Sequence, residues 1–184
     1  MTPAGWPTGK FGAILADPPW GFNLWWGGRS NKTPVGVPSR ATTPHYDVMK
    51  EEELNALPVS GLAADDCVLF LWTCWPVMPW ALRAMEAWGF RYLAPVHWIK
   101  PSGVGNWFVH RTQTMLMGYK TRCRFERARY RPNIVMTGDP KRHSEKPEEF
   151  RAIIDTLYPN GKRIELFSRS QHEGWESWGN EAAA

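Results

Sequence analysis

Short continuous apolar runs, each ended by proline, glycine or a polar cluster, dominate the hydrophobic pattern of this chain, and one clear helical stripe follows them. Ala13-Ile14-Leu15-Ala16 leads into Asp17-Pro18-Pro19-Trp20 and reads as an interior strand. Pro18 has no amide proton for a ladder and biases Asp17 away from helix, so the strand stops at the acid. Residues 67–72 (CVLFLW), 91–100, 112–119, 133–136 and 163–167 (RIELF) predict further strands. A short acidic helix starts at Glu51. A second, 76–88, opens on Pro76, ends before Gly89, and is apolar nearly all round, which predicts thorough burial. The third has Phe150, Ile153, Ile154 and Leu157 at i, i+3, i+4 and i+7, Glu148 and Glu149 in its first turn, and Ser144 or a neighbour as cap.

Mixed strands and helices in 184 residues, 43% hydrophobic and 22% charged, predict one α/β domain with its own core. No stretch approaches a membrane span or a signal peptide, so a cytoplasmic protein is expected. Cys67, Cys74 and Cys123 form no CxxC pair and fit no zinc spacing; reduced thiols and no metal are expected. No GxGxxG follows a strand, which removes support for a dinucleotide site.

A formal net charge of +4 is compatible with a polyanionic partner. Residues 21–44, rich in Gly, Pro, Ser and Thr and carrying Arg29, Lys32 and Arg40, read as a lid over a substrate. Lys120, Arg122, Arg124, Arg127, Arg129 and Arg131 alternate with Phe125 and Tyr130. On an extended ribbon such cations would track a phosphate backbone; as an edge strand they would be a solvated guard against aggregation. Trp107 reads either as a base-stacking residue or as an ordinary core or surface aromatic.

The chemistry concentrates at Asp17. Two prolines hold the turn in nearly one conformation, so the Asp17 carboxylate, the Pro18 carbonyl and the Trp20 ring keep a fixed mutual geometry at a strand's carboxyl end, where open α/β sheets bind ligands. Acceptors beside an aromatic plate suit a flat ring bearing an amino group.

The DPPW tetrapeptide, Trp98-Ile99-Lys100, HSEKP (143–147), IELFSR (164–169) and GWESWGNE (174–181) occur in that order. Together they resemble the DPPW-type N6-adenine methyltransferases, the family typified by the catalytic subunit of the mRNA adenosine methyltransferase, in a bacterial or phage form. The likeness runs from about Phe11 to Glu181. It implies a Rossmann-like S-adenosylmethionine-dependent fold in circular permutation, with the catalytic strand first and the cofactor strand last, in a single domain over residues 1–184. It implies catalytic roles for Asp17, Pro18, Pro19 and Trp20, with Trp20 stacking on the base. The cofactor site would use Asp17, Lys146, Glu165, Phe167, Arg169, His172, Asn180 and Glu181. Nucleic acid would meet Arg29, Lys32, Arg40, Lys100, Lys120, Arg122, Arg124 and Arg127. DNA is expected over RNA, a catalytically silent subunit is the non-enzyme alternative, and a homodimer or heterodimer is the implied assembly. Gln113 departs from the pattern, standing where relatives carry an acid, and so puts a substrate contact there in doubt.

Overall fold

The computed structural model describes residues 2–21, 48–104, 108–125, 133–138 and 145–179. Strand β1 (Phe11–Ala16) runs parallel between β2 (Ala63–Thr73) and β6 (Arg163–Leu166). Outward from β2 come β4 (His110–Tyr119), β3 (Arg91–Val104) and β5 (Ile134–Met136); outward from β6 comes β7 (Glu176–Trp178). Among the described strands of this seven-stranded sheet, β4 alone runs against the rest. The permutation is visible in the pairing: β1, at the head of the chain, lies in register against β6, near its tail, with Ala16 opposite Leu166.

Residues of β1 alternate between two cores. Ile14 and Ala16 join Leu69, Leu71 and Leu116 beneath helices α1 (Glu51–Asn55) and α2 (Met78–Ala87). Ala13 and Leu15 join Val68, Phe70, Trp72 and Met115 beneath α3 (Glu148–Leu157), which supplies Phe150, Ile154 and Leu157. A strand covered on both faces has no polar side to show, hence the unbroken apolar runs.

Three expectations change. β6 is the last strand but one, because the tail contributes β7; a three-residue edge strand flanked by Gly174 and Gly179 carries too little periodicity to announce itself. Helix α2 is not buried all round. Ala81, Ala84 and Met85 face the sheet while Leu82 is 39% exposed, since a helix covering one face of a sheet has only one face to bury. It closes with Gly89 at φ +81°, a left-handed position that glycine fills without strain, donating to the Glu86 carbonyl at 2.9 Å. Helix α3 starts after Pro147, and no side chain caps it; Ser144 lies outside the described residues.

Among the described residues no helix is long and apolar enough to cross a membrane. All three cysteines are free thiols.

Candidate active site

The β1–turn junction is tied down at several points. Asp17 prolongs the ladder by donating its amide to the Leu166 carbonyl at 3.4 Å. The Trp20 amide then donates to the Pro18 carbonyl at 2.8 Å, and the Met49 amide to the Pro19 carbonyl at 2.9 Å. The chain returning at Met49 therefore brackets the turn from outside. The Trp20 indole N–H reaches the Trp72 carbonyl at 3.0 Å.

That last bond changes the reading of Trp20. Trp20 is 8% exposed and packs with Leu54, Leu71 and their neighbours, so it wedges the turn onto β2. Trp20→Phe is expected to cost about 1–3 kcal/mol of stability in urea melts, because the Trp72 carbonyl loses its donor in a buried setting. Its KM for nucleic acid should stay near that of the parent chain; a raised KM with unchanged stability would return the ring to the substrate wall.

Beside the turn, the Lys146 ammonium lies 2.5 Å from Asp17 Oδ2, with both side chains largely covered. It also sits 5.5 Å from the centroid of the Trp72 ring, a cation–π arrangement. Trp72 is held edge-on by Phe150 at 4.6 Å and Trp98 at 6.4 Å, so its position is fixed by α3 on one side and β3 on the other. Lys146 immediately precedes Pro147 and α3, so the helix anchored by Phe150 delivers the ammonium to the carboxylate.

Cys74, just past β2, completes this wall. Burial pushes its thiol up to about 11, partly offset by Lys146 and Lys100 and reinforced by Asp17. It is therefore uncharged across the neutral range. At pH 8, iodoacetamide should modify Cys74 about two orders of magnitude more slowly than an unperturbed thiol, since the thiolate is the reacting form. Cys67, pushed to about 12, should react only on unfolding; mass spectrometry of labelled peptides reads both, and fast labelling of folded Cys74 would contradict the burial argument.

Lys100 lies 5.7 Å from the Trp98 ring centroid, at the same end of the sheet. Gln113 pairs with Trp98 in the β3–β4 register, and its side-chain oxygen is buried without a hydrogen-bond partner among the described residues. An acceptor in that state is costly unless a donor arrives.

A second group gathers at the end of β6. Arg151 donates to Glu165 at 2.9 Å and to Glu148, which the sequence pattern did not reveal because Arg151 sits on the polar side of an amphipathic helix. Burial raises the Glu165 carboxyl above the usual range, against the pull of Arg151, and the Asp17 charge adds to the rise. His172 Nε2 stands 3.9 Å from Glu165 Oε2 and 2.9 Å from Ser170 Oγ. Phe167 adopts φ +64°, a left-handed conformation that a phenylalanine holds only under constraint. The constraint is visible: the Ser168 amide donates to the Trp178 carbonyl at 3.0 Å, and Phe167 packs edge-on against Trp178 at 5.5 Å. Gly179 closes the corner, where a Cβ would stand 2.2 Å from the Ser168 carbonyl oxygen. Arg169 is on the exposed rim.

Asn180, Glu181, Arg29, Lys32, Arg40, Arg127 and Trp107 lie outside the described residues, as does the segment 22–44 read as a lid. Lys120, Arg122 and Arg124 are described, and they stand at the opposite end of the sheet from Asp17. Because β4 is antiparallel to β2, its last residue, Tyr119, pairs with Val68 midway along β2, while Thr114 pairs with Thr73 at the Asp17 end. Lys120 donates to the carbonyls of Ser60 and Ala63 at 3.3 Å each, and the Tyr158 hydroxyl donates to the Arg124 carbonyl at 3.0 Å. Residues 122–125 belong to no strand, so the described part of the basic run does not form the expected ribbon.

A carboxylate–ammonium pair, a strained aromatic corner and a buried carboxylate thus converge at the carboxyl ends of adjacent parallel strands. That arrangement, in an open sheet with one reversed strand, defines a Rossmann-like methyltransferase. The sequence profile of the MT-A70 family matches residues 11–181, and the chain belongs to that family. It is 30% identical over 188 residues to the type II methyltransferase M.MunI of Mycoplasma sp., covering 95% of this chain and 79% of that protein. It is 27% identical to the N(6)-adenosine-methyltransferase MT-A70-like protein of Arabidopsis thaliana and 24% identical to the human N(6)-adenosine-methyltransferase catalytic subunit METTL3. The aligned part is 24% of the Arabidopsis protein and 28% of the human one.

Proposed function

We propose that this methyltransferase transfers a methyl group from S-adenosylmethionine to the exocyclic N6 amine of adenine in DNA. The observation that carries the reading is the Asp17–Lys146 pair at 2.5 Å, set beside a turn that is pinned to both neighbouring strands. A pair of opposite charges suits the zwitterionic amino-acid end of the cofactor: Lys146 faces a carboxylate as a compact point charge, and acceptors at Asp17 and Glu165 suit an ammonium. Phe167 and the buried Ser168 line the corner beyond, with Arg169 and His172 at its rim. When bound, S-adenosylmethionine supplies an electrophilic methyl group.

The rest falls to the chain. Adenine N6 is a poor nucleophile because its lone pair is delocalised into the ring. Hydrogen bonds from the amine to the Asp17 carboxylate and the Pro18 carbonyl favour a pyramidal nitrogen and orient its lone pair. The Pro18 oxygen already accepts from the Trp20 amide at 2.8 Å, which fixes its direction while leaving a second lone pair. Asp17 then receives the proton that the nitrogen gives up. Most of the catalysis is positioning, which explains why so much of the turn is spent on immobilising it. A duplex target must first leave the stack, at a cost of about a few kcal/mol.

The similarity to M.MunI over most of both chains supports DNA, and three free thiols support a cytoplasmic setting. The adenosine methyltransferases among the relatives favour RNA as the second reading. Competition between matched DNA and RNA oligonucleotides for labelled S-adenosylmethionine separates them. Label in DNA is expected; label in RNA alone reverses the substrate assignment.

A further inference from the structure

The rim of the site carries an aromatic pair that the methyl-transfer chemistry does not use. Ala16 pairs with Leu71, so β2 passes the level of Asp17 at Trp72 and the chain continues outward through Cys74 to Trp75. Trp75 opens a turn at Trp75–Val77 and is 46% exposed, unusual for the largest apolar side chain. Its ring stacks on the His110 imidazole, with centroids 4.4 Å apart and planes 17° from parallel. His110 is held in place by β3: a Cβ on Gly103 would stand 2.3 Å from the His110 carbonyl oxygen, so the two backbones are in close contact there. The next residue, Arg111, donates from Nε to the Lys100 backbone carbonyl at 2.8 Å, which fixes the Arg111 side chain at this end of the sheet.

We propose that Trp75 and His110 form a stacking shelf for an unpaired nucleobase flanking the target adenine. This rests on the reading that the substrate is nucleic acid. A near-parallel aromatic pair with much of its surface open offers a planar face, and every base has a π-face to set on it. Lys100 and Arg111, at the same end of the sheet, keep that end positive, which attracts a phosphate backbone to it. Charge of that sign at the edge favours a polyanion over an apolar protein surface. The exposed Phe108 and Val109, next to His110 in the chain, extend the apolar rim and give the shelf room for more than one ring. Stacking is indifferent to base identity, so the shelf contributes affinity and orientation without selecting a sequence.

The test measures binding and turnover separately. Fluorescence anisotropy with a labelled single-stranded oligonucleotide containing one adenine should show about 5- to 100-fold weaker binding for Trp75→Ala, the range that loss of one base–aromatic stack produces. Trp75→Phe should recover much of that loss, which a folding defect in Trp75→Ala would not explain. Under turnover the loss should appear in KM, with kcat near that of the parent chain. The decisive arm uses the substrate: abasic sites placed one at a time beside the adenine should weaken binding to the parent chain at one position and have little further effect on Trp75→Ala. Additive losses at every position, or unchanged binding by Trp75→Ala, overturn the shelf. So does a Trp75→Ala protein that sediments as a smaller species while binding the oligonucleotide normally, which would assign the face to a protein contact. If methyl transfer fails while the abasic pattern holds, the shelf stands and the transfer reading falls. If transfer proceeds without that pattern, the reverse applies.

Discussion

Asp17→Asn should lower methyl transfer by about three orders of magnitude or more while leaving the chain folded. Removing one preorganised group from a site where charge develops costs about a hundred- to a thousandfold, and here the same group also receives the proton. Asparagine keeps the shape and one acceptor, so the turn still docks on β2 through Trp20 and the backbone bonds of Trp20 and Met49 survive. The carboxylate is what disappears. Lys146 then loses its partner at 2.5 Å, but both side chains keep some access to water, so the penalty to stability is softened. Single-turnover rates on an adenine oligonucleotide, with melting curves as the control, check this. Transfer within tenfold of the parent chain would move the chemistry away from β1.

Lys146→Met should act on the cofactor. The methylene stem can still pack against Trp72, and the ammonium over that ring at 5.5 Å is lost together with its pairing to Asp17. With the methionine in place the cofactor's carboxylate has no cation to face, and losing one charge-assisted contact of that kind costs about 1.5–3 kcal/mol, roughly a tenfold or greater rise in the dissociation constant for S-adenosylmethionine. Calorimetric titration reads the affinity directly. Because the two residues touch, the double variant Asp17→Asn, Lys146→Met should bind cofactor more tightly than the sum of the single losses allows. Additive losses would mean that the pair does not act as a unit. An unchanged affinity in Lys146→Met would remove it from the cofactor site.

The strands at the centre of the sheet were the most legible part of the sequence. β1 and the Cys67–Thr73 part of β2 are buried on both faces, and such stretches announce themselves as apolar runs; β6 was equally plain from RIELF. Asp17 was legible because two prolines can end a strand in only a few ways. Its pairing with Lys146 was not, since the two are 129 residues apart and only the sheet order brings α3 over β1. Trp20 shows the limit of a motif. The letters give an aromatic ring next to a catalytic turn, but not which way it points, and here the indole N–H finds the Trp72 carbonyl inside the core. The basic run beginning at Lys120 shows the same limit. Its charge pattern is plain in the sequence, whereas its position at the far end of the sheet follows from β4 being antiparallel, which no local pattern encodes. β7 escaped notice because its hydrogen bonds come from β6 and its three residues have no period of their own.

The most direct measurement is nucleoside mass spectrometry of an adenine-containing DNA oligonucleotide after incubation with S-adenosylmethionine, run in parallel for the parent chain and Asp17→Asn. N6-methyladenine formed by the parent chain and absent with Asp17→Asn is the expected result. Methyl groups on another base or ring nitrogen, or N6-methyladenine formed equally by both proteins, would contradict the assignment of Asp17 as the residue that holds the adenine amine.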